Sequence, residues 1–137
     1  MLEVEVRNVS GRPAAIGSAG THTLVVDSPK EAGGDGLGFN GGELLLLAIA
    51  GCVSNDLFRE ATAAGITLRG VRVRVSADFA GDPAICGPVE YEVELDGDGE
   101  PDRLRELVAL VDRIAEIPNS LRHGADVRLR ATHLPPR

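Results

Sequence analysis

The sequence of 137 residues has few aromatic side chains: one tyrosine, three phenylalanines and no tryptophan. Apolar residues nevertheless make up 43% of the chain and charged residues 26%, an ordinary balance for a globular protein. The core must therefore be built from Leu, Val, Ile and Ala side chains. A chain of this length predicts one domain, which we place over residues 1–137.

Cysteine is also scarce, since the chain contains only Cys52 and Cys86. Two cysteines do not make the disulfide framework of a small secreted domain. The first residues lack the charged segment and the following apolar segment of a secretory signal. We therefore expect a cytoplasmic location, where thiols stay reduced and serve either packing or reaction.

Several classes of partner find no support in the sequence. A net charge of −7 disfavours nucleic acid and an anionic membrane surface. No apolar stretch approaches the roughly 20 residues that span a bilayer. The three histidines are scattered, and no CxxC or HExxH motif is present. We therefore expect no nucleic acid, membrane, metal or cofactor.

Hydrophobic periodicity predicts an α+β fold. Alternation of apolar and polar residues predicts strands at 2–7, 14–16, 21–26, 71–75, 89–95 and 127–131. Antiparallel pairing of 71–75 with 89–95 would set arginines opposite glutamates. Helical spacing predicts helices at 43–64 and from Pro101 to about Ala115, and then a short helical turn that Pro118 opens. Strands joined by hairpins, with helices between them, are typical of α+β proteins.

The helix predicted at 43–64 is apolar nearly all round as far as Ile49, and it turns polar only at Ser54. A helix that is hydrophobic on every side is buried on every side. A domain this small cannot cover such a helix alone. We therefore predict that a second copy of the chain helps to enclose it in a homodimer.

A glycine-rich loop at 33–42 precedes this helix and contains GLGFNG, which matches the GxGxxG pattern. In a dinucleotide site that pattern directly follows a parallel strand. Here about nine residues separate it from the preceding strand, and the neighbouring strands are predicted to be antiparallel. We interpret the loop instead as backbone that passes close to the buried helix.

Cys52 lies some nine residues into the predicted helix, beyond the first turn in which the helix dipole favours a thiolate. Asp56 follows one turn later and would oppose a thiolate, while Arg59 is two turns away. A cysteine in an apolar helix is, taken alone, more often a packing residue than a reactive one. Cys86, at a turn before a strand, is interpreted as a structural or unused thiol. Any group that activates Cys52 must therefore come from elsewhere in the fold.

The segment ELLLLAIAGCVSNDL around Cys52 resembles the central-helix motif of the OsmC/Ohr family of thiol-dependent peroxidases. The resemblance covers nearly the whole chain, including PKEAGGDG before the helix, the paired strands after it, and AEIPNSL at the end of the second helix. It implies an OsmC-like fold, with an antiparallel sheet wrapped around a long central apolar helix, in an intertwined homodimer. It also implies that Cys52 is the peroxidatic thiol.

The chain departs from the family pattern at two positions. The resolving cysteine of the family is replaced by Ile117. The activating arginine of an early loop is best matched by Arg12, in SGRP. In the Ohr branch a glutamate ten residues before the reactive cysteine holds this arginine. That position is Gly42 here, and Glu43 lies about 100° further round the helix.

Two functions follow from the resemblance. In the first, the protein is a hydroperoxide reductase for organic hydroperoxides: Cys52 attacks the peroxide, Arg12 favours the thiolate and the leaving oxygen, and an external thiol reduces the resulting sulfenic acid. In the second, it is a non-catalytic OsmC-like module that binds a small hydrophobic molecule in an apolar pocket beside Cys52. The missing thiol and glutamate fit the second function, and the central motif favours the first.

Overall fold

The computed structural model describes residues 1–136 and divides into two compact units. The first unit comprises Met1–Ala50 and Arg74–Glu92, and the second comprises Gly51–Val73 and the chain from Val93 onward. One long helix and two long strands each contribute residues to both units. The single domain over residues 1–137 stays a prediction.

Three antiparallel strands open the first unit: β1 at Glu5–Asn8, β2 at Ala15–Ala19 and β3 at His22–Val26. The three predicted strands are confirmed, although their boundaries differ by a few residues. β2 continues through Gly17, beyond the predicted end of this strand at residue 16, because Gly17 pairs with Leu24 of β3 in the ladder.

Helix α1 spans Gly41–Ala63 and confirms the helix predicted at 43–64. It begins with a reciprocal cap: the Asn40 side chain accepts a hydrogen bond from the backbone N–H of Glu43 (2.9 Å), and the Glu43 carboxylate accepts one from the backbone N–H of Asn40 (3.0 Å). This arrangement satisfies two of the backbone donors that a helix start leaves without partners. The side chain of Glu43 is thereby occupied at the helix start.

By length and composition alone, α1 is apolar enough to cross a membrane, with a mean hydropathy of 1.3 over its qualifying window. The expectation that no stretch approaches spanning length is wrong on this measure. The core helix of a soluble protein passes the same test. One such helix does not by itself indicate a membrane protein.

Strands β4 (Leu68–Ser76) and β7 (Glu90–Gly97) form the predicted pair. Arginines of β4 face glutamates of β7, as the charge pattern predicted: the side chains of Arg74 and Glu92 are 3.1 Å apart, and those of Arg72 and Glu94 3.9 Å apart. All four side chains are exposed, so each pair contributes at most about 1 kcal/mol. They favour the antiparallel register of the two strands.

A small hairpin between them was not predicted. It consists of β5 (Phe79–Ala80) and β6 (Ile85–Cys86), in which Phe79 is paired with Cys86. Strands of two residues are too short to show alternation, so periodicity cannot reveal them. Cys86 therefore lies within a strand and not at a turn before one.

Helices α2 (Pro101–Ile114) and α3 (Glu116–His123) follow in the second unit. Pro101 occupies the first turn of α2, as predicted, and Leu107 and Val111, one turn apart on the helix, are buried. α3 begins two residues before Pro118, which was expected to open it. Proline is tolerated there because the first N–H groups of a helix have no intrahelical partner.

The strand predicted at 127–131 is wrong for the described part of the chain, since residues 124–136 form neither helix nor strand. The alternation leaves Val127 91% and Leu129 87% exposed. A strand forms only when a neighbouring strand supplies donors and acceptors. The described residues of the chain offer this segment no such neighbour.

The glycine-rich loop passes close to the end of β3, which corrects its assignment to the buried helix. The backbone N–H of Phe39 donates to the carbonyl oxygen of Val25, and that of Asp27 donates to the carbonyl oxygen of Phe39 (both 3.0 Å). A Cβ atom at Gly38 would lie 2.3 Å from the carbonyl oxygen of Val25. Glycine is therefore required at this position for steric reasons.

Gly38→Ala is expected to destabilise the protein by about 2 kcal/mol or more, because the clashing atom belongs to a paired backbone and cannot turn away. Gly41→Ala is the matched control, since a Cβ atom there would meet nothing within 4 Å. Alanine at this helix position should keep or raise stability by up to about 1 kcal/mol. Equal urea midpoints for the two variants would contradict this account of the loop.

Candidate active site

Cys52 lies in the second unit, on helix α1, and is half-buried and free. Val53 and Leu57 follow it on the helix and are almost fully buried, so they anchor this part of α1 in the core of the unit. Among residues 1–136, no side chain or backbone group forms a hydrogen bond with the Cys52 Sγ atom. A partly exposed thiol without such a partner is open to an external reactant.

Asp56, one turn after Cys52, is only 7% exposed. It accepts a hydrogen bond of 2.8 Å from Nη1 of Arg59, whose Nε donates to Glu60 at 3.2 Å. The hydrogen bond to Glu60 is the main cause that raises the pKa of Arg59, and Asp56 adds to it. The positive charge of Arg59 thus partly offsets the repulsion expected between the Asp56 carboxylate and a Cys52 thiolate. Arg59 is in turn committed to two carboxylates and is a poor candidate for activating Cys52.

Cys86 lies in the first unit, and its Sγ donates to the carbonyl oxygen of Gly87 at 3.4 Å. Both cysteines of the chain are free in the structure. The sulfur of Cys86 is held by its own chain neighbour, which is consistent with a structural thiol. Its interpretation as structural stays a prediction.

Arg12 lies in the turn between β1 and β2. Its backbone is held on both sides, since its N–H donates to Val9 at 2.8 Å and its carbonyl oxygen accepts from Nδ2 of Asn8 at 3.0 Å. Its guanidinium contacts Asp35: Nε lies 3.2 Å and Nη2 2.9 Å from the same oxygen, Oδ2. The turn and one carboxylate together orient this side chain.

Asp27 contacts the backbone of Asp35, a member of this ion pair, and is 5% exposed. Its carboxylate accepts hydrogen bonds from three backbone N–H groups, those of Ser28 (2.8 Å), Leu37 (3.1 Å) and Asp35 (3.2 Å). Burial alone would raise the pKa of Asp27, but these hydrogen bonds, with Leu37 first, and the charge of Arg12 outweigh it and lower the pKa below its ordinary value. Asp27 is therefore a carboxylate at neutral pH and ties the loop to the end of β3.

The structure thus groups Arg12 with Asp35 and Asp27 in the first unit, while Cys52 lies near Asp56 in the second. Sequence reasoning missed Asp27 and Asp35. The signal for Asp27 was an aspartate directly before Ser-Pro, a combination typical of a turn stabilised by a side chain. Asp35 carried no signal, since it stands in a glycine-rich loop 23 residues from its partner.

An open apolar cavity of about 460 Å³ lies in the first unit, between the sheet and the start of α1. Its apolar lining includes Val4, Val6, Leu24, Val26, Leu44 and Ala48. Cys52 does not line it, whereas the pocket expected from the sequence was to lie beside that thiol. Ala48 nevertheless precedes Cys52 by one turn of α1.

These features define an α+β protein in which antiparallel strands accompany a long apolar helix that carries a half-buried free cysteine. The family model of the OsmC-like proteins matches residues 33–130, which is more than half of the chain. The chain therefore belongs to the OsmC-like protein family, and the resemblance noted in its sequence is confirmed. A comparison with curated proteins gives no match.

Solved structures with the same fold support this assignment. An OsmC-like protein from Mycoplasma pneumoniae is 16% identical, with a TM-score of 0.76 over 89% of this chain and 87% of that chain. The organic hydroperoxide resistance protein OsmC of Legionella pneumophila is 20% identical, with a TM-score of 0.62 over 89% of each chain. An organic hydroperoxide resistance protein of Elizabethkingia anophelis is 17% identical, with a TM-score of 0.65 over 89% and 88%. At such identities the likeness shows the fold.

Proposed function

We propose that this protein is a thiol-dependent hydroperoxide reductase, with Cys52 as the nucleophile and Arg12 as the activating cation. The observation that carries the proposal is the half-buried free thiol on the central helix, whose sulfur has no hydrogen-bond partner among the described residues. The family adds support, because solved structures with this fold include organic hydroperoxide resistance proteins.

The reaction has two stages. The Cys52 thiolate attacks the outer peroxide oxygen, so that an S–O bond forms as the O–O bond breaks. The alkoxide takes up a proton and leaves as an alcohol, while Cys52 is oxidised to the sulfenic acid. Arg12 would favour both the thiolate and the negative charge that develops on the leaving oxygen.

The second stage needs an external thiol, since Ile117 stands where the family has its resolving cysteine. One external thiol attacks the sulfenic sulfur and releases water, which leaves a mixed disulfide. A second external thiol then displaces Cys52 as a free thiol and leaves with the first as a disulfide. One hydroperoxide is thus reduced for every two thiols that are oxidised.

The rate constant for oxidation of Cys52 tests the proposal. Cys52 should react faster with cumene hydroperoxide than with hydrogen peroxide, because apolar side chains dominate its helix and favour an apolar substrate. The rates are measured by stopped-flow with a sulfenic-acid trap. If Cys52 reacts no faster than a free thiol of pKa about 8.5, the reductase proposal fails.

A binding module is the second candidate function, and the apolar cavity of the first unit is the observation that favours it. A cavity of this volume falls within the range of roughly 300–1,000 Å³ that is typical of small-molecule sites. Two results together would favour this function over the reductase. The protein would bind a small apolar dye with an affinity that Cys52→Ser leaves unchanged, and Cys52 would be oxidised no faster than a free thiol.

We further propose that the protein is a homodimer whose interface buries well over about 2,000 Å² of mainly apolar surface. On α1, Leu47 is 50% and Phe58 45% exposed, although the helix is apolar. Val127 and Leu129 form a strand pattern without a partner strand in the described chain. A second copy would cover these side chains, and an edge strand of that copy would supply the missing hydrogen bonds.

Leu47→Glu is expected to shift the protein from dimer to monomer or to unfold it, since a carboxylate would have to be buried at the interface. Arg105→Glu, on the exposed face of α2, is the control and should leave the dimer intact. Light scattering at micromolar concentration measures the mass. A monodisperse monomer of the unaltered protein, 14.3 kDa, would refute the dimer.

A further inference from the structure

We propose that Asp35 is the positioning residue of Arg12, in place of the helix glutamate of the Ohr branch, and that buried Asp27 holds Asp35 in position. The inference rests on the proposed role of Arg12 in activating Cys52. Three positions are candidates for the carboxylate that holds Arg12. They are position 42, where the Ohr branch has its glutamate and this chain has Gly42, and the residues Glu43 and Asp35. The structure favours Asp35.

Position 42 offers no carboxylate and little space for one. A Cβ atom on Gly42 would lie 3.3 Å from each of two ring atoms of Phe79, Cε2 and Cζ. This distance is shorter than an ordinary van der Waals contact. A glutamate at this position would therefore have to move the ring of Phe79, which belongs to the short hairpin strand β5.

Glu43 directly follows position 42 in the sequence, but its carboxylate caps α1. Its Oε1 accepts from the backbone N–H of Asn40 at 3.0 Å, while its own backbone N–H donates to the Asn40 side chain at 2.9 Å. To reach an arginine, Glu43 would have to leave this reciprocal cap and expose a backbone donor of the helix start. The role of the Glu43 side chain is therefore to cap the helix.

Asp35 contacts the guanidinium with a defined geometry. Nε and Nη2 of Arg12 both approach Oδ2, at 3.2 and 2.9 Å, so that one edge of the guanidinium is used. Among residues 1–136, Nη1 has no polar partner. An arginine held by one edge presents its remaining N–H groups in a fixed direction, which suits it to bind a thiolate or a peroxide oxygen.

An ion pair this exposed contributes little to stability, since solvent screens it and two flexible side chains must be ordered. Its effect is on orientation, because an unrestrained arginine samples many rotamers. Asp35 can provide this restraint because its own backbone N–H donates to the buried carboxylate of Asp27, at 3.2 Å from Oδ2 and 3.3 Å from Oδ1. The buried carboxylate of Asp27 therefore holds the backbone of Asp35, and the carboxylate of Asp35 holds the guanidinium of Arg12.

Asp35→Ala is expected to slow oxidation of Cys52 by about tenfold or more, because the arginine keeps its charge and loses its orientation. On an Arg12→Ala background the same change should have no further effect, since the two residues act as one unit. Asp35→Glu should restore part of the rate. Glu43→Gln removes the same charge and keeps a side chain able to cap the helix, and it should leave the rate unchanged.

A readout that does not depend on activity is the ¹⁵N–¹H signal of the Arg12 Nε–H group. It should be protected from solvent exchange in the unaltered protein and in Glu43→Gln, and lose this protection in Asp35→Ala. Retained protection in Asp35→Ala, or an unchanged oxidation rate in that variant, overturns the inference. If Cys52 of the unaltered protein is oxidised no faster than a free thiol, the proposed function is overturned instead. The exchange of the Arg12 Nε–H group then decides alone whether Asp35 positions Arg12.

Discussion

Cys52→Ser is expected to abolish the reduction of organic hydroperoxides with dithiothreitol as the reductant. A serine hydroxyl is not ionised near neutral pH and cannot form the sulfenic acid through which the proposed cycle passes. Consumption of cumene hydroperoxide, followed over minutes, measures turnover. Residual turnover above the rate of dithiothreitol alone would exclude Cys52 as the nucleophile.

Cys86→Ser is the matched control, because it removes the other free thiol of the chain. Its Sγ donates to the neighbouring carbonyl oxygen of Gly87, and a serine hydroxyl can do the same. This variant should keep nearly all turnover. If instead Cys86→Ser is as inactive as Cys52→Ser, Cys86 takes part in the cycle and its structural interpretation is wrong.

The fate of oxidised Cys52 follows from Ile117. Without a cysteine at that position, the sulfenic acid should persist or be oxidised further to the sulfinic acid in excess peroxide. Mass spectrometry after peroxide treatment should show one trapped sulfenic acid and no disulfide between Cys52 and Cys86. A high yield of that disulfide would make Cys86 a substitute for the resolving thiol.

Arg12→Ala is expected to slow the oxidation of Cys52 by about 10²-fold or more, which is the usual effect of removing a group that stabilises developing charge. Arg12→Lys should recover only part of the rate, because an ammonium group keeps the charge but cannot present a planar fork. Stopped-flow oxidation with one equivalent of hydroperoxide isolates this step from reduction by dithiothreitol.

The stability of the Arg12 variants provides the control. Arg12 is exposed and its ion pair with Asp35 is partly screened, so the urea midpoint should change little. A variant that oxidises as fast as the unaltered protein would show that another group activates Cys52. A slow variant with a strongly lowered midpoint would point to a structural role for Arg12 instead of a direct one.

Local patterns account for most of the elements that were predicted correctly. The apolar run that begins near Leu44 predicted α1 to within two residues at its start, and Pro101 marked the start of α2. The opposed charges of β4 and β7 predicted their pairing. These features are readable because helix and strand periods act over a few neighbouring residues.

The errors arose where a structure depends on a partner distant in sequence. Residues 127–131 alternate like a strand, but alternation does not supply the neighbouring strand that a ladder needs. The hairpin of β5 and β6 is too short for any period to show. The glycine-rich loop was assigned to the wrong neighbour, because glycine signals a close approach without indicating what is approached.

For the candidate site, the sequence by itself identified Cys52 and Arg12 as the residues that match the family pattern, and it showed the absence of a thiol at Ile117. The roles of Cys52 and Arg12 stay predictions. Only the tertiary structure decided which carboxylate holds Arg12. Asp35 is 23 residues away in the chain, and Asp27 reaches it through a backbone N–H group, which any residue except proline could supply. No residue type or spacing encodes such a contact. It arises because the loop after β3 folds back on the end of that strand.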